Sequence, residues 1–376
     1  MFNHLILPGS QYNRTVLPLE ELARAARQSA LGAGFDLVGV ASVRDQDLPE
    51  LIAFTEWIDA GYAGEMKYLE KRTDSGELRR SSLKNAAPWA KSVIVCALNY
   101  NTDQPYSTQV QESSRGWISR YSWSRQDYHD LLLARLEEVE AAIQTCAAKH
   151  GMNAQTRRYV DTGPVVERVY AKYAGIGWIA KNTCIINPKS GSWLFLGVIL
   201  TSLELKPDIP AADRCGSCTR CIDACPTDAI IAPGKLDARR CIAYLTIEKR
   251  GEIPQEFRAS IGHHVFGCDI CQDVCPWNSK SGNAPPAALP ELQAQPELVH
   301  PDLKWLARLS EEEFRQTFRG SAIKRTKYAG FKRNVAIAMG NSSNAEFIPE
   351  LEKMASGPDP VVAEHALWAL QRLLKR

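Results

Sequence analysis

Eight of the chain's 11 cysteines fall between Cys215 and Cys275. Cys215, Cys218, Cys221 and Cys225 precede Pro226 in the run C-x₂-C-x₂-C-x₃-C-P. Thiolate is a soft ligand that suits iron–sulfur clusters and zinc. Three thiolates this close can wrap one face of a cubane, while a fourth just before proline reaches a different cluster. A second set, Cys241, Cys268, Cys271 and Cys275 with Pro276, keeps the C-x₂-C-x₃-C-P part, but its first member stands far upstream. Eight thiolates meet the need of two [4Fe–4S] clusters. The rival is structural zinc, which prefers separated C-x₂-C pairs around one tetrahedral ion. The triple run with two C-P endings speaks against it.

The runs are similar to those of two-cluster bacterial ferredoxins. In that pattern Cys215, Cys218, Cys221 and Cys275 hold one cluster, and Cys225, Cys241, Cys268 and Cys271 hold the other. The stretch between Cys241 and Cys268, with Tyr244 and Gly267, reads as an insertion into such a fold. Cys96, Cys146 and Cys184 read as small core residues.

Other segments carry chemistry less distinctly. Asp161 lies in V-D-T-G-P-V-V-E-R, where an acid orders the start of a helix or donates a proton. Gly175–Asn182 is a glycine-rich loop able to approach a cofactor backbone-first. From Arg115 to His129 basic and aromatic residues interleave, a mix that grips nucleic acid or a planar cofactor, or forms an ordinary loop. Asp127-Tyr128-His129 starts like a D-x-H-x-x-G cobalamin motif, but Leu132 stands where its glycine belongs. No G-x-G-x-x-G opens a helix, so a Rossmann dinucleotide site is not indicated. Arg315, Arg319, Lys324, Arg325, Lys327, Lys332 and Arg333 form an acid-free basic stretch, a candidate phosphate-tracking patch.

The elements that must position these groups follow from periodicity. Pro18–Leu31 carries an apolar helical stripe with Pro18 in its first turn, and Asp127–His150 is a long helix stopped by Gly151. Phe35–Ala41, Ser92–Leu98, Arg157–Val160 and Ser192–Thr201 read as strands, and Pro164–Tyr173 as a helix begun by Pro164. The alternation predicts an α/β (α+β) N-terminal domain over residues 1–210. A ferredoxin-like two-cluster domain follows over 211–285, and a helical C-terminal domain over 286–376. Asn334–Met339, Ala345–Met354 and Val361–Leu374 are its expected helices, paired as in a HEAT-like repeat and packed on the rest of the chain. The chain of 376 residues balances 45 Lys and Arg against 43 Asp and Glu. A uniformly basic coat is thereby excluded. The longest apolar run, near Ser192–Leu203, is too short to span a bilayer. The N-terminus shows no basic leader or paired arginines, so a cytoplasmic protein with reduced thiols is expected.

Together, V-D-T-G-P-V-V-E-R, G-W-I-A-K-N, R-Y-S-W with D-Y-H, C-I-A-Y-L-T-I-E and F-G-C-D-I-C-Q-D-V-C-P-W-N resemble the epoxyqueuosine reductases. The resemblance implies a cobalamin-binding N-terminal domain, two [4Fe–4S] clusters and reduction of epoxyqueuosine to queuosine at position 34 of tRNA. It implies cobalamin contacts at Arg80, Ser119, Asp161, Ile185 and Leu196, with Asp161 as proton donor. The substrates would be the tRNAs for Asp, Asn, His and Tyr, and an external low-potential donor would supply electrons to a monomer. Val198 stands where the family often has a carboxylate. Asp161 would have to be protonated near neutral pH, although a helix start beside it would oppose that. The rival functions are a reductive dehalogenase-like cobalamin enzyme and a non-catalytic ferredoxin-type carrier.

Overall fold

The computed structural model describes residues 11–43, 48–110, 112–279 and 284–375. The first unit holds α1 (Gln11–Gly32), β1 (Leu37–Ser42), α2 (Pro49–Asp59), β2 (Ser92–Asn99), β3 (Trp117–Ile118) and α3 (Tyr128–Lys149). It continues through β4 (Thr156–Tyr159), α4 (Glu167–Tyr173), β5 (Trp178–Ile179), β6 (Ile185–Ile186) and β7 (Leu194–Thr201). Its main sheet has the order β1-β2-β7-β4. Every pairing in it is antiparallel, with Val40 opposite Ile94, Val95 opposite Val198 and Tyr159 opposite Val198. The unit is therefore α+β: strand and helix alternate along the chain without making a parallel sheet.

Strand β2 is buried along its whole length, so its alternating side chains feed two cores. Ile94, Cys96 and Leu98 pack with Leu22 and Ala26 of α1 and with Leu132 and Leu136 of α3. Val93, Val95 and Ala97 face the other way, toward Tyr170 and Ala171 of α4, Val165 and Ile185. That second face carries the functional site. Gly39 of β1 lets α4 come close, since a Cβ there would lie 2.0 Å from the Ala174 carbonyl oxygen.

Three expected helix starts move, and the helix expected from Asn334 begins at Lys327. Helix α1 begins at Gln11, so Pro18 lies inside it rather than in its first turn. Helix α4 begins at Glu167, not Pro164, and Asp161 to Pro164 form a turn.

The second unit contains α5 (Arg220–Asp223), a hairpin of β8 (Ile230–Ala232) and β9 (Lys235–Leu236), α6 (Ile242–Ile247), α7 (Gln255–Arg258), β10 (His264–Phe266) and α8 (Ile270–Asp273). The insertion between Cys241 and Cys268 is the part made of α6, α7 and β10. Strand β10 pairs in parallel with β3, stitching the insertion to the first unit.

The third unit is helical: α9 (Leu303–Arg308), α10 (Glu311–Thr317), α11 (Lys327–Asn341), α12 (Ile348–Ala355) and α13 (Pro360–Leu374). Residues 331–340 of α11 are all buried. A helix covered on every side is a core element, and α11 packs against α6, β10, α9 and α13. The expected packing of these helices on the rest of the chain is therefore present, and what they pack on is the insertion. No helix among the described residues is long and apolar enough to cross a membrane.

Candidate functional site

The cysteines fall into two groups. Cys215, Cys218, Cys221 and Cys275 line one small cavity together with Lys181, Asn182 and Trp277. Cys241 and Cys268 lie within electrostatic reach of each other and of Cys225. Sulfur is met by N–H donors in both groups. Trp178 Nε1 donates to Cys215 Sγ at 3.4 Å, and the Ala229 amide donates to Cys225 Sγ at 3.3 Å. Donors of this kind suit cluster thiolates. Burial pushes the Cys241 and Cys268 thiols up, and Cys275 to about 11, so ligation must displace protons. No three His, Cys, Asp or Glu side chains among the described residues converge on a single-ion site.

The glycine-rich loop serves these cysteines. Lys181 Nζ donates to the carbonyls of Gly216 at 2.7 Å and Cys218 at 2.9 Å. Asn182 Nδ2 donates to the Cys271 carbonyl at 3.2 Å. The loop thus touches both groups. Cys184, expected as a plain core residue, instead hydrogen-bonds the Cys271 thiol.

Two adjoining cavities share Leu69, Arg80 and Asp161 in their walls. The larger, about 620 Å³, is mostly apolar, with Phe54, Trp57, Met66, Val165, Ile179 and Leu236 among its lining. Thr183 also lines it, one residue from Cys184, so this cavity lies against the second cysteine group. The other, about 540 Å³, is cationic: Lys71, Arg79, Arg80, Arg157 and Arg325 line it, and Asp161 is the one acid among its described lining residues.

Asp161 stands between them in the turn after β4, with a positive φ of 53°. That conformation is uncommon outside glycine and marks a constrained position. Its carboxyl accepts from Tyr128 Oη at 3.2 Å and lies 3.7 Å from His129 Nε2. His129 Nδ1 in turn meets Asp127 Oδ1 at 2.7 Å, and Asp127 Oδ2 meets Lys324 Nζ at 3.2 Å. Tyr128 is fixed by stacking on Phe195, with ring centroids 4.3 Å apart and an interplanar angle of 3°.

These contacts set the charges. The His129 imidazole 3.7 Å away is the main cause holding the Asp161 carboxyl, whose side chain is 64% exposed, below its ordinary range. Burial opposes charging of His129, yet Asp127 and Asp161 together lift it to about 9. Asp127 is lowered to about 2 by His129 and Lys324 despite its burial. These neighbours favour an ionised Asp161 rather than the protonated acid expected of it. Its counter-charge is His129, not a helix start, which lies six residues downstream. Glu167 behaves oppositely: burial, then the charge of Asp161, push it up to about 7.

The remaining expected contacts divide. Arg80 lines both cavities and lies over the Tyr68 ring, 5.8 Å from its centroid. Ile185 and Leu196 line neither cavity, though Ile185 pairs with Ile179 of the cavity wall and Leu196 projects from β7 on the same face. Val198, buried on that face, places no carboxylate there. Ser119 stands apart. It is buried beneath Gly267, bonded to Asp269, and lines neither cavity.

Two proposed nucleic-acid segments are largely structural. Arg120 is buried, stacked near Trp123 and Trp193 at 4.9 and 5.0 Å, and spends its guanidinium on the carbonyls of Thr102, Gln104 and Pro105. In the basic stretch, Arg315 pairs with Glu311 and Glu312, and Arg325 with Glu248. Lys332 and Arg333 are buried and bind backbone carbonyls. The stretch has no acids in sequence, but the fold brings them. Sequence spacing also gave no sign that His129, Tyr128 and Glu167 meet Asp161, because two chain segments must converge.

Comparison with known proteins adds to this geometry. Residues 214–278 match a family model described as a 4Fe-4S double cluster binding domain. Residues 80–162 match one described as epoxyqueuosine reductase QueG. The chain is 37% identical over 354 residues to the epoxyqueuosine reductase of Vibrio cholerae, covering 94% of this chain and 92% of that one. It is 36% identical over 365 residues to that of Escherichia coli K12, covering 96% and 92%. A crystal structure of an epoxyqueuosine reductase with an epoxyqueuosine-modified tRNA-Tyr stem loop superposes with a TM-score of 0.81 at 33% identity, covering 94% and 91%. A Bacillus subtilis structure, described with its catalytic aspartate loop swung out of the active site, gives 0.80 at 32%, covering 94% and 91%.

Proposed function

The chain belongs to the epoxyqueuosine reductase family, and on that premise we propose that it reduces epoxyqueuosine to queuosine at position 34 of tRNA. The observation that carries this reading is Asp161, placed where an apolar cavity against the second cysteine group meets a cationic one. Phosphates flanking the reacting nucleoside suit Lys71, Arg79 and Arg157.

The eight cysteines hold two [4Fe–4S] clusters in the crossed arrangement. The larger cavity takes cobalamin. Its apolar walls and the Arg80 guanidinium suit a large macrocycle with a polar edge. When bound, cobalamin supplies the reducing electrons beside the epoxide. The protein positions and protonates. Tyr128 and His129 aim Asp161 at the cationic cavity, and the breaking C–O bond leaves negative charge on an oxygen that needs a proton. The His129 imidazolium provides it through Asp161. In a site dried by substrate, an ion pair of this kind collapses toward the neutral acid and neutral imidazole. His129, 23% exposed at its side chain, regains its proton from solvent.

The finer expectations stay part of this proposal: domains over 1–210, 211–285 and 286–376, a HEAT-like C-terminal helix pair, and a cytoplasmic monomer fed by an external donor. The substrates are the tRNAs for Asp, Asn, His and Tyr.

Two measurements test the function. Mass spectrometry of tRNA from cells lacking the protein is expected to show accumulated epoxyqueuosine, and unchanged queuosine would refute the reaction. Single-turnover conversion by pre-reduced Asp161→Asn is expected to slow about 10²–10⁴-fold, with tRNA affinity unchanged. Turnover within about threefold of wild type would move the proton donor elsewhere.

A further inference from the structure

Four carboxyls line the larger cavity, and three of them have very different company. Glu50 is bound by Lys172 and accepts from Tyr173 Oη at 3.1 Å. Asp161 accepts from Tyr128 Oη and has the His129 ring nitrogen 3.7 Å away. Glu167 has an oxygen, Oε1, that is buried and has no hydrogen-bond partner. Buried polar atoms are nearly always paired, and a lone one calls for an explanation.

The charged groups around Glu167 are Asp161 from the turn, which repels its anion, and Arg80 and Arg168, which favour it. Arg168 is partly engaged with the Thr183 carbonyl at 3.1 Å. Glu56 also lines the cavity but is exposed, and Lys235 lies over the Tyr62 ring. No cation bonds Glu167 among the described residues. Burial and Asp161 therefore dominate, and they lift the carboxyl to about 7. Two acids in one cavity with such divided surroundings have divided duties.

We propose that the Glu167 carboxyl is the second proton source of the reduction, beside Asp161. This rests on the function proposed above. Converting an epoxide to an alkene and water takes two electrons and two protons. Two C–O bonds break, the C=C π bond forms, and both protons end on the departing oxygen. Asp161, fed by His129, serves the first C–O cleavage. Glu167 serves the second, in which hydroxyl leaves as water. The resulting Glu167 carboxylate is balanced by Arg80 and Arg168, and solvent reprotonates it when product leaves.

Infrared difference spectra of wild type against Glu167→Gln, without cofactor or tRNA, test the state of the acid. A carboxylic-acid C=O band is expected in wild type at pH 6, lost as pH rises through about 7. Asp161→Asn removes the repelling charge and is expected to move that midpoint down. Absence of the band, or its persistence in Glu167→Gln, overturns the proposal. Single turnover over the same pH range tests the role. The wild-type rate is expected to fall above about 7, and Glu167→Gln to be slow by about 10²-fold or more at pH 6. A Glu167→Gln enzyme that keeps the wild-type profile refutes the role even if the band is present. A wild type that shows the band yet converts no epoxyqueuosine-containing tRNA removes the reaction itself, and the proposal falls with it.

Discussion

Asp127→Asn isolates the charge chain behind Asp161. Asparagine still caps a helix well, so the start of α3, where the Asp127 carboxylate accepts from the His129 amide, is preserved. What is lost is a carboxylate 2.7 Å from His129 Nδ1. His129 is raised from 6.5 to about 9, which at 1.4 kcal/mol per unit is about 3 kcal/mol, shared between Asp127 and Asp161. Asp127 is lowered from 3.8 to about 2, or about 2 kcal/mol, shared between His129 and Lys324. The two figures describe overlapping interactions and do not add. The direct pair is therefore worth about 1–2 kcal/mol, and His129 in the variant is expected to titrate about one to two units lower.

The sign of the stability effect follows. The raised His129 contributes fully below 6.5 and loses its contribution as pH rises through about 9. The lowered Asp127 contributes fully above 3.8 and loses it as pH falls through about 2. Destabilisation by Asp127→Asn is thus largest between 3.8 and 6.5 and shrinks above about 9. Carbon–proton NMR correlations of the seven histidine rings give the titration, and denaturant melts give the stability. At pH 8 the variant's single-turnover rate is expected to fall up to about tenfold, with little change at pH 6. A wild-type His129 that titrates near 6.5, or a variant that leaves it near 9, would refute the reasoning.

Three further outcomes are expected. Anaerobically reconstituted protein binds about eight irons, and Cys221→Ser or Cys271→Ser each lose about one cluster, read by iron and acid-labile sulfide analysis. Zinc in place of sulfide in wild type would remove the clusters. Reversing Lys71, Arg79 and Arg157 to Glu weakens tRNA binding and flattens its dependence on salt, whereas reversing Arg319 and Lys327 has a smaller effect. Equal effects would return the binding surface to the C-terminal stretch. Arg333→Met leaves the carbonyls of Leu245, Lys249 and Gly251 without this donor and costs about 3 kcal/mol or more in a denaturant melt; a loss below about 1 kcal/mol would refute that role.

The cysteine groups were legible because ligand spacing is local and chemically demanding. The strands Ser92–Leu98 and Ser192–Thr201 were legible because strands buried on both faces are apolar throughout. Asp161 was visible through its motif, but not its ionisation, which depends on His129 arriving from the start of α3. The partners of the basic stretch were hidden for the same reason. Glu248 and Asp127 lie far from it in sequence, and a guanidinium that binds buried carbonyls looks no different on paper from one that binds phosphate. Helix starts slipped at Pro18 and Pro164 because proline fixes φ without deciding whether neighbours join the helix.

The insertion also bears on the order in which the protein matures during synthesis. Cys275 completes the cavity begun by Cys215, Cys218 and Cys221, so a nascent chain ending earlier holds an open set of ligands. The insertion's carbonyls at Leu245, Lys249 and Gly251 then wait for Arg333. At 5–20 residues per second, the ribosome needs roughly 3–12 s to travel from Cys275 to Arg333. During that interval every proposed cluster ligand has been made, while the helix that locks the insertion has not. Cluster delivery has a natural opening there. A chain that misses it must admit iron and sulfide past a closed helical cap, so slow loading of fully folded apoprotein is the expected mark of this architecture.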